Sequence, residues 1–408
     1  MSTVTSLIEQ FQALDQFLVR HQALWRPRPF TERALPWEQT YPQLATWLRS
    51  RSLADAEAAH NDPYDLAAPA PFAELAAQTA SLSQVPELPA VRQISADARQ
   101  STDVPGRKWQ QIQAFCSTLE FSAHPQHWLD WCAGKGHLGR LLANDGATLT
   151  CVERDPALVE EGRRLSQRRG INAEHEQQDV MVPDVERFLK PAVTPVALHA
   201  CGDLHVRLLQ QSIERGCRQL AVAPCCYNRI EPDSYQPLSS VAQQSGLRLS
   251  RDDLGLPLSQ TVTAGARERR QRDQSMAWRL GFDALQRELR RDDSYLPTPS
   301  LPSAWLKKSF AGYCRDLAAL KGLPEPGEQP WEKLERYGWQ RLAEVRNLEL
   351  LRALFRRPLE LWLLLDRALL LAENGYAVRL GTFCAAELTP RNLMLLAELP
   401  PGSENSCK

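Results

Sequence analysis

Apolar residues recur along the chain with two different periods, and the switch between them divides it. Leu7, Phe11, Leu14 and Leu18 fall on one face of a helix predicted over 5–23, and 39–50 repeat the pattern. The stretch from about 53 to 90, rich in Ala, Pro and Asp, is broken at Pro63, Pro69, Pro71, Pro86 and Pro89, which no long helix tolerates. Residues 1–92 therefore read as a helical N-terminal region. From about 95 short apolar runs alternate with helical stretches. The runs "HWLDWCA" (127–133), "TLTCVER" (148–154), "AEHEQQDV" (173–180), "VALHACG" (196–202) and "QLAVAPCCY" (219–227) predict strands, with helices over 136–144, 156–169 and 203–215. That rhythm is the signature of a parallel sheet with crossover helices.

After about 285 the pattern lapses into "DDSYLPTPSLPSAW" and "GLPEPGEQPW", proline-rich stretches around a helical piece near 303–320. It then resumes with the apolar helix "LELWLLLDRALLLAEN" (359–374), Gly375, the strand "YAVRLGTFC" (376–384) and a last run "NLMLLAEL" (392–399). The expected organisation is a helical region (1–92), the cofactor-binding half of an α/β core (93–284), an insertion (285–335) and the rest of the core (336–408). The fold class is α/β: a Rossmann-like, doubly wound, mostly parallel sheet of seven strands with a helical appendage and a late helical insertion.

Composition changes little. Hydrophobic residues make up 43% and charged residues 24%, as in ordinary globular chains. The N-terminus lacks a basic start followed by an apolar core, and no apolar run approaches ~18 residues, so a cytoplasmic protein without a membrane partner is expected. Ten cysteines in no regular rhythm read as reduced thiols. A net charge of −1 makes the whole chain no electrostatic magnet for nucleic acid, but Gly265 to Arg291 hold eight arginines against four acids. That segment is either a phosphate-facing helix or a solvated one laced with i,i+4 ion pairs.

The chemistry begins at "DWCAGKGHLGR", residues 130–140, where Gly134, Gly136 and Gly139 follow the first strand. Glycines in such a turn let the backbone approach a ligand, and the next helix offers unpaired N–H groups. Either the pyrophosphate of NAD or S-adenosylmethionine suits it. Asp130 decides between them, because a carboxylate there repels a pyrophosphate but orders the loop and receives an ammonium group. Cys132, Ala133 and Lys135 complete the expected cofactor loop. Glu153, ending the second strand, is placed to accept ribose hydroxyls, and Asp179, ending the third, to meet the adenine amino group. Acids at successive strand ends fit the rule that ligands of such sheets sit beyond the carboxyl ends of the strands.

"LHACGDLH" puts His199, Cys201 and Asp203 where the fourth strand meets its helix. Strand alternation predicts His199 and Cys201 on one face. Histidine suits a general base titrating near neutrality, and Asp203 either joins the site or N-caps the helix. "APCCYNRI" adds Cys225, Cys226 and Tyr227, a pocket for a flat acceptor or simply buried thiols. Zinc on His199, Cys201, Cys225 and Cys226 is disfavoured, since adjacent cysteines seldom both reach one tetrahedral metal and no C-x₂-C spacing occurs. No metal is expected.

Together "DWCAGKGHLGR", "LHACGDLH" and "PCCY" resemble the methyltransferase domain 32 family, which includes the methyltransferase-like domain of the animal glutathione S-transferase C-terminal-domain-containing protein. More distantly they are similar to transfer-RNA 2′-O-methyltransferases with a His-x-Cys-Gly and a Cys-Cys pair. The resemblance spans about 105–230 and returns at "LLLDRALLLAENGY" and "LTPRNLML". It implies the class I methyltransferase fold, S-adenosylmethionine as cofactor, and an RNA (tRNA or rRNA) or protein acceptor. Tyr227-Asn228 stands where the transfer-RNA enzymes have a histidine, which speaks against a ribose acceptor. The rival readings are an NAD-dependent oxidoreductase and a non-catalytic adaptor that keeps the fold.

Overall fold

The apolar runs form seven strands: β1 (His127–Trp131), β2 (Thr148–Glu153), β3 (Ala173–Gln177), β4 (Thr194–Cys201), β5 (Gln219–Cys225), β6 (Ala377–Thr382) and β7 (Leu393–Glu398). A computed structural model describes residues 4–94, 104–143, 146–260 and 265–400. The strands make one sheet in the order β3-β2-β1-β4-β5-β7-β6. The first five run parallel, and β7 lies antiparallel to both β5 and β6. β5 is buried along its whole length, as befits a strand covered on both faces, and this is why it reads as an unbroken apolar run. β3 lies at an edge and keeps the polar sequence AEHEQ.

Helices Pro156–Arg168 and Asp203–Glu214 are crossovers between parallel strands. Asp155 caps the first of them, accepting from the Ala157 N–H at 2.9 Å, with Pro156 at the first helical position. Helix Gly106–Ser117 supplies Trp109, Ile112, Phe115 and Cys116 to a core shared with Trp128, Leu138, Leu149, Val196 and Leu396. The buried carboxylate of Asp366, on helix Arg356–Glu373, accepts from Tyr235 Oη, from the Leu238 and Ser239 N–H groups, and from Ser239 Oγ at 2.5–2.9 Å. Chain order turns back between β1 and β4: β2 and β3 extend the sheet on one side and β5 on the other. A crevice therefore opens beyond the carboxyl ends of β1 and β4.

Two compact units emerge, and their bounds differ from the expected ones. The first takes the chain up to Arg20, Leu82–Leu258 and Arg357 onward, and holds the sheet. The N-terminal helix Val4–Arg20 belongs to it, with Phe11 5.1 Å from the Trp362 ring and Asp15 accepting the Trp362 indole N–H. The second unit, His21–Ser81 with Ser259–Arg356, is helical. There helices Ala266–Arg290 and Trp331–Ala353 cross so closely that a Cβ on Gly338 would lie 2.3 Å from the Ala277 carbonyl oxygen. The arginine-rich helix belongs to this helical unit, whereas the expected boundary at 284 divided it between core and insertion.

Three of the segment's eight arginines form ion pairs within the helical unit. Arg287 pairs with Asp283 and Asp293, Arg272 with Glu57 and Asp273, and Arg290 with Asp292. Ala277, Trp278, Leu280, Phe282 and Leu285 of the same helix are buried. The segment is thus a helix with a buried face, and one of its ion pairs, Arg287–Asp283, has the expected i,i+4 spacing. Among the described residues, no helix is long and apolar enough to cross a membrane.

Candidate active site

After β1 the chain turns through left-handed backbone at Cys132 (φ 58°), Gly134 (φ 56°) and Gly136 (φ 72°) before entering helix His137–Leu142. The three glycines have separable reasons. A Cβ on Gly139 would come within 2.6 Å of Leu149 Cδ1, so this glycine seats the helix against β2. On Gly136 it would meet His175 Cε1 at 2.8 Å and Cys151 Sγ at 3.0 Å. On Gly134 it would meet no protein atom within 4 Å, so that position faces the open side of the loop.

Two carboxylates hold this turn. Asp130, 2% exposed, accepts the Gly139 N–H at 2.9 Å. Burial pushes its carboxyl up to about 7, against the opposing pull of that hydrogen bond and of Arg140. Its work in the structure is thus to order the loop, the first half of the expected role. Glu153 accepts the Gly134 N–H at 2.9 Å and the Asp155 N–H at 3.0 Å through its two oxygens. Each oxygen keeps a further lone pair, and the side chain is only half-buried. Asp179, also half-buried, accepts from the Met181 N–H. Ala133 is tied to β2 through the Val152 carbonyl, and Lys135 points its ammonium to Glu161 at 2.6 Å.

Sequence reasoning missed the support behind the loop. The Arg140 guanidinium, on a side chain 1% exposed, donates to the Lys135 carbonyl at 2.5 Å and meets His137 Nδ1 at 3.0 Å. His175, hydrogen-bonded to Ser166 Oγ, fills the space against Gly136 and Gly162. An arginine in the turn after a GxGxxG run was the available signal for the first.

At the end of β4 the expected alternation does not hold. The register with β5 slips between Leu198 and Cys201, and His199 adopts φ 69°, a left-handed conformation that costs a non-glycine residue about 1–2 kcal/mol. His199 and Cys201 consequently find different partners. His199 Nε2 lies 2.8 Å from Gln111 Oε1, and Gln111 Nε2 donates to the Leu388 carbonyl. Because that carbonyl fixes which end of the amide is the acceptor, His199 must carry its proton on Nε2 and its lone pair on Nδ1. Burial, with Lys108 and Arg391 nearby, lowers the imidazole to about 4, so it is neutral at pH 7.

The turn after β4 is clasped to the loop after β5. Gly202 takes φ 54° beneath Arg229, whose carbonyl would sit 1.8 Å from a Cβ there. Asp203 is the first helical residue, not the cap. Its N–H donates to the Arg229 carbonyl and its carboxylate accepts the Glu231 N–H at 2.7 Å. The clasp brings Cys201, Cys225 and Cys226 together, their sulfurs all within 4.8 Å of one another. The neighbouring thiols and the charges of Arg229 and Arg391 push Cys226 down to about 5, while Cys225 moves upward. Tyr227 is not at the crevice surface. It is 1% exposed, edge-on to His205 and beneath the Arg367 guanidinium, which removes it from contact with an acceptor.

Residues 107–233 match the family model described as a methyltransferase domain. The sheet-bearing unit has the class I methyltransferase fold. Among solved structures, a SAM-dependent methyltransferase from Aquifex aeolicus is 12% identical over 32% of this chain and 67% of its own, with a TM-score of 0.20. A geranyl diphosphate methyltransferase in complex with GPP and sinefungin is 13% identical over 46% and 66%, TM-score 0.25. The mitomycin 7-O-methyltransferase MmcR is 19% identical over 49% and 56%, TM-score 0.24. The chain spans between 30% and 67% of the length of eight solved chains that it matches.

The cofactor of this class of domain is S-adenosylmethionine, and the crevice fits it. Gly134 is open to a ligand, and half-buried carboxylates with spare lone pairs end β2 and follow β3. Cys132 and Ala133, both half-buried, line the same turn.

Proposed function

We propose that the chain is an S-adenosylmethionine-dependent methyltransferase acting on a macromolecule, with RNA (tRNA or rRNA) as the acceptor. The observation that carries methyl transfer is the turn at Gly134 and Gly136, held open by Asp130 and Glu153 at the switch point of a sheet whose seventh strand is reversed. Glu153 and Asp179 bind the nucleoside, and the loop carbonyls hold the amino-acid end. When bound, the cofactor supplies a methyl group on a cationic sulfur. The protein's share is to orient the acceptor in line with it, which removes several kcal/mol of barrier, and to take the acceptor's proton. His199 Nδ1, neutral and with its lone pair free, takes that proton, as a weaker base than the near-neutral imidazole expected from the sequence. Resemblance of the His-x-Cys-Gly and Cys-Cys segments to transfer-RNA enzymes supports RNA. With Tyr227 buried where those enzymes have a histidine, a base atom is favoured over the ribose 2′-hydroxyl.

Titration calorimetry of the full chain should show saturable heat with S-adenosylhomocysteine and none with NADH. The reverse result would return the NAD-dependent oxidoreductase. Mass spectrometry of nucleosides from cells with and without the protein should show one methylated base missing. A methyl lost from ribosomal protein instead would replace RNA with protein as the acceptor, and no loss from either would favour the adaptor.

A further inference from the structure

The objection that two adjacent cysteines seldom serve one metal assumes that both lie in extended backbone, where successive side chains point to opposite faces. At the end of β5 that assumption fails. Cys226 has φ 46°, outside the strand conformation that Cys225 keeps, and its sulfur turns back toward the same side as Cys225. A third thiol arrives from the neighbouring strand, since Cys201 is the direct register partner of Cys225 and their sulfurs lie 3.5 Å apart. All three sulfurs sit within 4.8 Å of one another. Thiolates around a tetrahedral zinc, with Zn–S near 2.3 Å, stand about 3.8 Å apart.

This convergence is held by the fold at a cost. The left-handed backbone at Cys226 is disfavoured for a side chain with a Cβ, and it is maintained by the hydrogen bond from the Arg229 N–H to the Cys226 carbonyl. The Arg229 carbonyl in turn accepts the Asp203 N–H above Gly202. Strain of this kind persists where surrounding structure over-determines it, which is the behaviour of a built site. Charge is complementary as well. Three thiolates with a divalent cation carry one net negative charge, and Arg229 and Arg391 lie near enough to act on Cys226 electrostatically. His199 is not part of the set: the ligand atoms that come together are those of the three cysteines.

We propose that Cys201, Cys225 and Cys226 form a three-thiolate site for a thiophilic divalent cation of the zinc class, with a fourth position left open. An all-sulfur donor set selects zinc over harder divalent ions such as magnesium or calcium. Cys201 and Cys226 are half-exposed while Cys225 is buried, so the open position faces away from β5 and toward solvent. A water or a nucleophilic atom of a ligand completes the tetrahedron there.

The probe is cobalt(II), titrated into the reduced, untagged full-length protein and followed by absorption, with zinc content of the isolated protein measured by plasma mass spectrometry. One equivalent should bind with thiolate-to-cobalt charge-transfer bands and the strong ligand-field absorption of a tetrahedral ion, and zinc should displace it. Cys201→Ser and Cys226→Ser should abolish those bands, and Cys116→Ser, buried elsewhere, should keep them. Cys226, half-exposed at a strand end, is the substitution that disturbs the core least. Circular dichroism on every variant separates lost binding from lost folding. The proposal is overturned by absence of the bands in folded wild-type protein or by their survival in Cys226→Ser. A Cys201–Cys225 disulfide in protein isolated under reducing conditions overturns it too.

Discussion

At the scale of single residues, the most consequential contact is one between His199 and Gln111, 88 positions apart in sequence. It assigns the imidazole's tautomer, and its burial holds the ring neutral through the physiological range. His199→Ala should therefore lower kcat for methyl transfer by about 10²-fold or more, while S-adenosylhomocysteine still binds. Gln111→Met should lower kcat less, by removing the partner that fixes the ring. Gln111→Glu should restore much of it and move the acidic limb of the pH–rate profile upward, because a carboxylate on Nε2–H favours the protonated ring. A profile identical in all three proteins would remove His199 from the chemistry. The sequence displayed His199, Cys201 and the cysteine pair because histidines and thiols are scarce and stood at strand ends. It hid Gln111, a common polar residue on a helix, whose role exists only because the tertiary fold sets that helix against β4. It also misplaced Tyr227, since no pattern of spacing shows a side chain turning inward under Arg367.

At the scale of elements, the sequence pattern located all seven strands to within a few residues, six of them by apolar runs and β3, whose polar sequence suits a sheet edge, by its place in the rhythm of strand and helix. Irregularities escaped it. The slip between Leu198 and Cys201 and the left-handed residues at 199 and 226 accompany the clasp of neighbouring loops, which leaves no mark in an alternation pattern, and neither does the left-handed Cys132 after β1. The glycine loop was visible as a motif, but the separate duty of each glycine was not, and that difference is testable. Gly139→Ala drives a Cβ into Leu149 and should cost about 1–3 kcal/mol of stability as overpacking. Gly134→Ala meets no protein atom, so its stability cost should be limited to the left-handed backbone, about 1–2 kcal/mol. Its affinity for S-adenosylhomocysteine should nonetheless fall at least tenfold. Urea denaturation and calorimetry on the same preparations read both effects; equal ligand affinity in Gly134→Ala and wild type would show that the loop does not face the cofactor.

At the scale of the whole molecule, both compact units bury histidines that fold neutral. His60 in the helical unit is lowered to about 3, first by burial and then by Arg356, Arg346 and Arg272. In the sheet-bearing unit burial lowers His137 to about 3 and His175 and His199 to about 4, and takes His205 well down beside Arg367. Each such group binds its proton in the unfolded chain near 6.5 but not in the native one. The unfolded state therefore takes up more protons as pH falls from about 6.5 toward 4, and stability is lost across that window. For His199 alone the loss at pH 5 is about 2 kcal/mol. Asp130 acts with the opposite sign. Its native carboxyl, raised to about 7, takes a proton that the unfolded chain refuses until near 3.8, so it returns about 2 kcal/mol over the same descent from pH 7 to pH 5. Five histidines against one carboxyl leave a net loss, and the urea midpoint should drop steeply between pH 7 and pH 5. Asp130→Asn, which keeps an acceptor for the Gly139 N–H but cannot take up the proton, should make that drop steeper. A midpoint that stays level over the interval, or a shallower drop in the asparagine variant, would mean that these imidazoles reach solvent in the native state and that the Asp130 carboxyl is ionised beneath its loop.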